Sequence, residues 1–226
     1  SDEQLTNCDV CVLINPNNPT AKLLSSGRVV KIAQLLKQSQ GFLIIDEAFM
    51  DALNQHSVAS YQLKNVIVLR SLGKFFGLAG LRVGSVIADD EILKLFEKQL
   101  PPWPISHPAR FISQCALQDI NWINETKLTL AKQSLQLKSL CEAVLRPVFS
   151  DCKVVFNPLF VTIWFSLKTD ATRFHHLLCE QGILTRLLDE QSGIRIGLAN
   201  NDKDCERLKN AMQQTIDYIR EEITEC

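Results

Sequence analysis

Apolar runs alternate with polar loops in the first half of the chain. Three runs have the length and composition of buried strands, and polar residues follow each of them. These runs are 9–14, 42–45 and 66–69. Between the first two, residues 25–40 carry apolar side chains at helical spacing, with Ser25 or Ser26 as a candidate N-cap and Gly41 as the stop. The order strand, helix, strand, loop, strand predicts a parallel α/β sheet.

The middle of the chain predicts one further strand and then mostly helix. Residues 83–88 have the composition of a strand that is antiparallel or lies at the sheet edge. Asp89 is a candidate cap for a helix over 90–100. A long region with apolar residues at mixed spacings of three and four follows over 109–145, with a break expected near 119–121.

The last third of the chain predicts a smaller α+β unit. Its expected strands are 153–156, 160–166, 183–187 and 193–198, and its expected helices are 170–181 and 202–222. Gly182 has the position of the residue that follows a helix end. Alternation around Arg195 places it on the opposite strand face from Ile194 and Ile196. We therefore expect a partial large domain over 1–100, a connecting helical segment over 101–150 and a small C-terminal domain over 151–226.

Composition excludes several classes of protein. The chain has 226 residues, 46% of them hydrophobic, and a formal net charge of −1, which predicts a folded core and neither nucleic-acid nor membrane binding. No apolar run approaches a membrane span and no signal-peptide pattern is present, so we expect a cytoplasmic protein. Eight cysteines are scattered singly; Cys8 and Cys11 are read as strand residues, since a second pair at zinc spacing is missing. We expect reduced thiols and no metal site.

Candidate chemistry lies where the predicted strands end. Asn18, Asp46, Ser71 and Lys74 each follow a buried-type run. Taken singly, a lysine in a loop is usually a surface residue, and a carboxylate after a strand is usually a terminator. Ligands of open α/β sheets bind beyond the carboxyl ends of the strands, so the recurrence favours a binding site. A lysine amine beside other cations loses its proton more readily and can form a Schiff base, which suggests an aldehyde-bearing cofactor at Lys74.

Four motifs carry a resemblance to a known family. They are NPNNPT at 15–20, IIDEAFMD at 44–51, SLGKFFGLAGLRVG at 71–84 and GIRIG at 193–197. In this order they resemble the fold type I pyridoxal-phosphate enzymes, in the aminotransferase class that includes histidinol-phosphate aminotransferase. Within that class they look most like the threonine-phosphate decarboxylase branch. The resemblance implies an incomplete fold type I large domain, a mostly parallel sheet with helices, followed by a small C-terminal α+β domain.

The resemblance implies a site for pyridoxal 5′-phosphate. Lys74 matches the lysine that bonds to the cofactor aldehyde, and Asp46 matches the carboxylate that pairs with the pyridine nitrogen. Asn18 matches the asparagine that hydrogen-bonds the phenolic oxygen, with an expected cis bond before Pro19. The matching phosphate ligands are Ser71 and Arg82. On the substrate side, Arg195 matches the arginine that binds an anionic group, and Arg186 matches a second arginine.

Two departures from the family pattern bear on activity. Phe49 stands where many relatives have a tyrosine whose hydroxyl contacts the cofactor. The family's upstream part supplies a phosphate-binding loop, a stacking aromatic residue and a tyrosine donated across a homodimer, and none is identifiable before Asp9. We therefore expect a truncated chain with weak or no activity alone.

The resemblance implies three candidate functions. The first is the decarboxylation of L-threonine O-3-phosphate to (R)-1-aminopropan-2-yl phosphate in cobalamin biosynthesis. The second is amino transfer on a phosphorylated amino acid or amino alcohol, as in histidinol-phosphate aminotransferase. The third is a non-catalytic remnant. For either enzyme, the expected partners are a phosphorylated small molecule and a second copy of the chain.

Overall fold

The computed structural model of the chain describes residues 2–188 and 192–225. Their contacts form two compact units. Unit 1 holds the residues up to Asn18 together with Lys22–Glu125, and unit 2 holds Pro19–Ala21 with the chain from Thr126 onward. The boundary between the units falls inside the segment predicted to be a connector, 101–150, so this segment is shared between the two units. The functional division into large and small domains stays a prediction.

Unit 1 is built on a four-stranded sheet in the order β1–β2–β3–β4. The strands are β1 (Val10–Ile14), β2 (Phe42–Asp46), β3 (Val66–Ser71) and β4 (Gly84–Ile87). The first three strands are parallel, and β4 pairs antiparallel with β3 at the edge. The parallel order and the antiparallel edge strand predicted from the sequence are both confirmed.

Helices connect these strands and extend beyond them. They are α1 (Asp2–Leu5), α2 (Ser26–Gln38), α3 (Asp90–Gln99), α4 (His107–Gln118) and α5 (Ile120–Leu145), with short 3₁₀ helices at Asp51–His56, Ala59–Tyr61 and Ala79–Leu81. Ser25 caps α2 by accepting a hydrogen bond from Arg28 N at 3.3 Å. The side chain of Asp89 caps α3 in the same way. The long helical region breaks at Asp119, as its pattern predicts.

The turn from α2 into β2 requires a glycine. Gly41 donates its backbone N–H to Leu36 O at 2.7 Å, which closes the helix end. A Cβ atom at position 41 would lie 2.4 Å from the carbonyl oxygen of Cys8. Because only glycine lacks that atom, the backbones can approach closely here and β2 enters the sheet beside β1.

The core of unit 1 lies on one face of the sheet. The buried residues come from α2, β2, β3 and the loop between these two strands: Val29, Ile32, Ala33, Leu36, Leu43, Ile45, Val58, Val66 and Val68. On the other face, Val10 and Val12 of β1 are 50% and 67% exposed. The prediction that β1 is a buried strand is therefore wrong within the described residues. The helix α2 covers one face of the sheet, and alternating strand residues point away from it.

Unit 2 has a second sheet, which is antiparallel throughout, in the order β5–β6–β8–β7. Its elements are β5 (Lys153–Asn157), β6 (Phe160–Trp164), α6 (Lys168–Glu180), β7 (Arg186–Leu188), β8 (Gly193–Gly197) and α7 (Asp202–Glu225). The fully buried Ile163 and Ile194 pack in one cluster with Phe174 and Met212. Gly182 follows Gln181, the C-cap residue of α6, and has a positive φ of 72°, as predicted for the residue after a helix end. The predicted α+β unit is confirmed.

The cysteines in the described residues are free thiols. Cys11 lies in β1, whereas Cys8 precedes the strand, so the reading of both as strand residues is wrong for Cys8. Within the part of the chain that the structure describes, no group of three or more His, Cys, Asp or Glu side chains could hold a metal ion. None of the described helices combines the length and hydrophobicity that crossing a bilayer requires.

Candidate active site

Two polar side chains lie at the carboxyl end of the sheet in unit 1, because two parallel strands end there. Asp46 is the last residue of β2, and Ser71 is the last residue of β3. The register places Asp46 beside Leu69, and Glu47 N donates to Leu69 O at 2.9 Å just beyond the paired residues. The strand ends are thus fixed to each other by backbone hydrogen bonds.

A cavity of about 350 Å³ lies at these strand ends. Its lining includes Asp46, Ser71, Gly73 and Arg82. The volume is at the lower end of the range of small-molecule sites. Three of the residues that the sequence predicts for the cofactor therefore line one cavity.

The carboxylate of Asp46 is oriented by its own turn. Asp46 is half-buried, and its Oδ1 accepts a hydrogen bond from Ala48 N at 2.8 Å. An ionised carboxylate has two oxygens with several acceptor positions. The same group can therefore accept a further hydrogen bond from a protonated ring nitrogen in the cavity.

Ser71 and Arg82 provide hydrogen-bond donors in the same cavity. Ser71 Oγ accepts from Gly73 N at 3.1 Å, and its own O–H can donate elsewhere. Arg82 Nη1 donates to Ala79 O at 3.2 Å, and a guanidinium has four further N–H donors. Arg82 is exposed and has a positive φ of 53°, a conformation that non-glycine residues seldom adopt outside special turns and sites. This pair suits a phosphate group.

Lys74 directly follows the cavity residue Gly73 and is not itself part of the lining. Its side chain is exposed, and Nζ stands 5.4 Å from the centroid of the Phe49 ring. The next residue, Phe75, is 5% exposed. Phe75 contacts Trp122 of α5 edge-on, with ring centroids 5.6 Å apart. The buried Phe75 therefore anchors the loop after β3. The neighbouring Lys74 side chain is exposed to solvent and lies near the Phe49 ring.

Asn18 lies in the loop after β1, half-buried and outside the cavity lining. The side chain that organises this loop is Asn15, which is 1% exposed and exchanges two hydrogen bonds with the backbone of Leu24, at 2.8 and 3.1 Å. The cis peptide bond in the motif joins Asn15 to Pro16. The expected cis bond between Asn18 and Pro19 is therefore wrong.

In unit 2, Arg186 and Arg195 are direct neighbours on adjacent antiparallel strands. Arg195 is half-buried between Ile194 and Ile196, which are both buried, so its predicted placement on the other strand face is confirmed. Its guanidinium carbon lies 5.4 Å from the centroid of the Phe160 ring. Burial, together with the charge of Arg186, lowers the pKa of Arg195. Like charges directly opposite each other on neighbouring strands destabilise a sheet, and a nearby anion reduces this repulsion.

Sequence reasoning missed two charged residues at the strand ends. Glu47 is fully buried and Arg70 lines the cavity, and the two form an ion pair with Nε 3.0 Å from Oε2. The available signal was their position: Glu47 follows Asp46, and Arg70 is the one charged residue in the run that ends at Ser71.

The donor set fits pyridoxal phosphate group by group. Asp46 offers a carboxylate for a protonated ring nitrogen, and Lys74 offers an amine for an aldehyde. The hydroxyl of Ser71 and the guanidinium of Arg82 offer donors for a phosphate.

Comparison with known proteins gives a consistent picture. The family model for aminotransferase class I and II matches residues 2–212. The chain is 32% identical over 211 residues to threonine-phosphate decarboxylase of Pseudomonas aeruginosa, covering 92% of this chain and 61% of that protein. It is 37% identical over 204 residues to threonine-phosphate decarboxylase of a Sinorhizobium species, covering 89% of this chain and 58% of that protein. The chain thus spans about three fifths of the length of these relatives.

A solved structure supports the fold. Histidinol-phosphate aminotransferase from Sinorhizobium meliloti, in complex with pyridoxal-5′-phosphate, superposes with a TM-score of 0.81 at 23% identity. The match covers 94% of this chain and 58% of that one. The predicted fold type I architecture is confirmed, and pyridoxal phosphate is the cofactor of the family. Because the family model matches nearly the whole chain, this protein belongs to the class I and II aminotransferases.

Proposed function

We propose that the chain holds pyridoxal 5′-phosphate beyond the ends of β2 and β3. Lys74 binds the aldehyde carbon, and Asp46 pairs with the ring nitrogen. Asn18 donates to the phenolic oxygen, and Ser71 and Arg82 bind the phosphate. The observation that carries this proposal is the cavity of about 350 Å³ that Asp46, Ser71 and Arg82 line together.

The proposed roles follow from the chemistry of each side chain. When bound, pyridoxal phosphate accepts the electron pair left behind when a bond at the substrate α-carbon breaks. The negative charge of Asp46 favours a proton on the ring nitrogen. Once the substrate amine has taken its place, Lys74 has a free amine that can give or take a proton at the α-carbon. Its exposed position beside Phe49 gives it room for this exchange.

We further propose that Arg186 and Arg195 bind the anionic groups of the substrate. Their guanidinium groups belong to residues paired directly across β7 and β8, and burial of Arg195 strengthens its interaction with an anion. A phosphorylated amino acid carries a phosphate and a carboxylate, so it can neutralise both cations. Rigid planar donors of this kind suit both groups.

The reaction that we propose is the decarboxylation of L-threonine O-3-phosphate to (R)-1-aminopropan-2-yl phosphate. Its support is the similarity to two threonine-phosphate decarboxylases along about nine tenths of the chain. Amino transfer is the second candidate, because the chain also resembles histidinol-phosphate aminotransferases in sequence and fold. The two reactions break different bonds at the same α-carbon. Assembly as a homodimer remains a prediction.

The cofactor site can be tested by trapping. We expect that borohydride reduction in the presence of pyridoxal phosphate labels the peptide that contains Lys74. Lys74→Ala abolishes this label, because the amine that bonds to the aldehyde is gone. The matched control is Lys64→Ala, which removes an exposed lysine of the same unit and should leave the label in place. Peptide mapping by mass spectrometry gives the readout. The chain without substitutions is the reference chain. If it forms no adduct at Lys74, the result would contradict the proposal and favour a non-catalytic remnant.

The reaction can be tested by separating its two outcomes. We expect weak carbon dioxide release from O-phosphothreonine, which is lost in Lys74→Ala and strongly reduced in Arg195→Ala. Replacement of Arg195 by alanine should lower kcat/KM by 100-fold or more, since removing a hydrogen bond to a charged group loses roughly 3 kcal/mol. Amino transfer to a keto acid, measured in parallel without carbon dioxide, would instead identify an aminotransferase.

A further inference from the structure

A buried ion pair lies at the strand ends that form the candidate active site. Glu47 is 0% exposed, and its Oε2 lies 3.0 Å from Arg70 Nε. Ser57 Oγ donates to Oε2 at 2.6 Å, and Val58 N donates to Oε1 at 3.2 Å. Both carboxylate oxygens therefore have protein partners. A buried charge needs such partners, because leaving it unpaired would be strongly unfavourable.

Arg70 uses its other nitrogens to bind the 3₁₀ helix that follows β2. Nη1 donates to Asp51 Oδ1 at 2.9 Å and to Asn54 Oδ1 at 3.0 Å, and Nη2 donates to Ser57 Oγ at 2.8 Å. The contact of Nε with Glu47 is close enough for strong attraction but is not aligned as a hydrogen bond. The guanidinium plane is thus held on several sides, which a lysine could not reproduce.

The two residues of this ion pair are direct sequence neighbours of residues in the proposed cofactor site. Glu47 follows Asp46 at the end of β2, and Arg70 precedes Ser71 at the end of β3. Arg70 also lines the cavity. Any shift of one strand end relative to the other would have to break the buried pair.

We propose that Glu47 and Arg70 are positioning residues for the pyridoxal-phosphate site. The pair fixes the distance between the Asp46 carboxylate and the Ser71 hydroxyl, and so between the groups that bind the two ends of the cofactor. A role in stability alone is a weaker explanation, because an apolar pair of similar volume often stabilises a fold at least as well as a buried ion pair. This inference rests on the proposed cofactor site.

The test compares cofactor binding in variants that keep the shape of the pair but change its charge or geometry. Glu47→Gln removes the negative charge and keeps one acceptor oxygen, which can replace the acceptor of either Ser57 or Val58, and Arg70→Lys retains the positive charge. We expect each to raise the Kd for pyridoxal phosphate by about ten-fold or more, the size typical of residues that orient a binding group. The visible absorbance of the bound cofactor changes with pH, and we expect the midpoint of this change to shift in both variants. The shift should have the same direction as in Asp46→Asn.

A matched control separates positioning from stability. Val29→Ala removes apolar contacts from the fully buried core on α2 and lowers the melting temperature. The valine side chain can form neither a hydrogen bond nor an ion pair with Glu47 or Arg70. We expect its absorbance midpoint to equal that of the reference chain. An equal midpoint shift in Val29→Ala, or no shift and no loss of affinity in Glu47→Gln and Arg70→Lys, would overturn the inference.

The outcome also distinguishes this inference from the proposed function. If the reference chain forms the borohydride-stable adduct at Lys74 but the pair variants bind the cofactor unchanged, only the positioning role fails. If the reference chain forms no adduct, both proposals fail.

Discussion

At the scale of single residues, the cysteine thiols differ sharply in their surroundings. Cys141 of α5 is 0% exposed in the core of unit 2, whereas Cys115 and Cys205 are exposed. Burial raises the pKa of Cys141 to about 12, with smaller contributions from Cys152 and Glu142. Burial likewise raises the pKa of Cys152. These thiols stay protonated in the folded chain at pH values where an unfolded chain would lose the proton.

The Cys141 thiol should make stability depend on pH in the alkaline range. Its pKa is about 12 in the folded chain against 9.0 as the ordinary value, so the folded state holds one more proton between these limits. The free energy of unfolding should therefore fall by about 1.4 kcal/mol per pH unit above pH 9 from this thiol. Urea unfolding under reducing conditions from pH 8 to 10.5 measures the slope. Cys141→Ala should give a shallower slope, and equal slopes would contradict the assignment.

The site residues show what can be predicted from sequence and what cannot. Asp46, Ser71 and Arg82 each belong to a motif that ends or follows a strand, and the structure places all three on one cavity, while their roles toward the cofactor stay predictions. Glu47 and Arg70 were not predicted, because a charged side chain usually lies at the surface. Their burial depends on partners up to 23 residues apart in sequence, and strand periodicity does not report such tertiary contacts.

At the scale of elements, local signals predicted the ends of helices better than the exposure of strands. The cap at Ser25 and the left-handed glycine after α6 follow from side-chain and backbone chemistry within a few residues. The exposure of β1 does not follow from such local chemistry, because it depends on which helices cover each face of the sheet. The apolar run 9–14 favoured a strand buried on both faces, yet Val12 is 67% exposed.

Element pairing also explains the opposed arginines of unit 2. The antiparallel register of β7 and β8 pairs Arg186 with Arg195, a contact that the sequence alone did not predict, because register depends on tertiary packing. Across the other strand, Arg195 pairs with Thr162, which is fully buried and donates to Pro19 O at 2.6 Å. Pro19 is thus hydrogen-bonded to the arginine-bearing sheet within unit 2.

At the scale of the whole molecule, weak net charge combines with exposed apolar surface. The formal net charge is −1 and the sequence pI is about 6.4, so electrostatic repulsion between copies is small near neutral pH. In the sheet of unit 1 that the structure describes, β1 is an edge strand with Val10, Val12 and Ile14 exposed. An exposed apolar edge strand is a template for pairing with another chain. We therefore expect self-association through β1, strongest near pH 6.4.

A lysine at position 12 should weaken this association. Val12→Lys places a charge on the edge strand, which opposes strand pairing, although it also removes the single net negative charge and so lowers general repulsion. Thr129→Lys makes the same change in charge at an exposed position of α5 and is the matched control. Sedimentation velocity at pH 6.4 and 8.5 should show less association in Val12→Lys than in the reference chain, and no decrease in Thr129→Lys. The two variants have equal net charge, so equal behaviour would place the association away from β1. Less association in Val12→Lys alone would place it at β1.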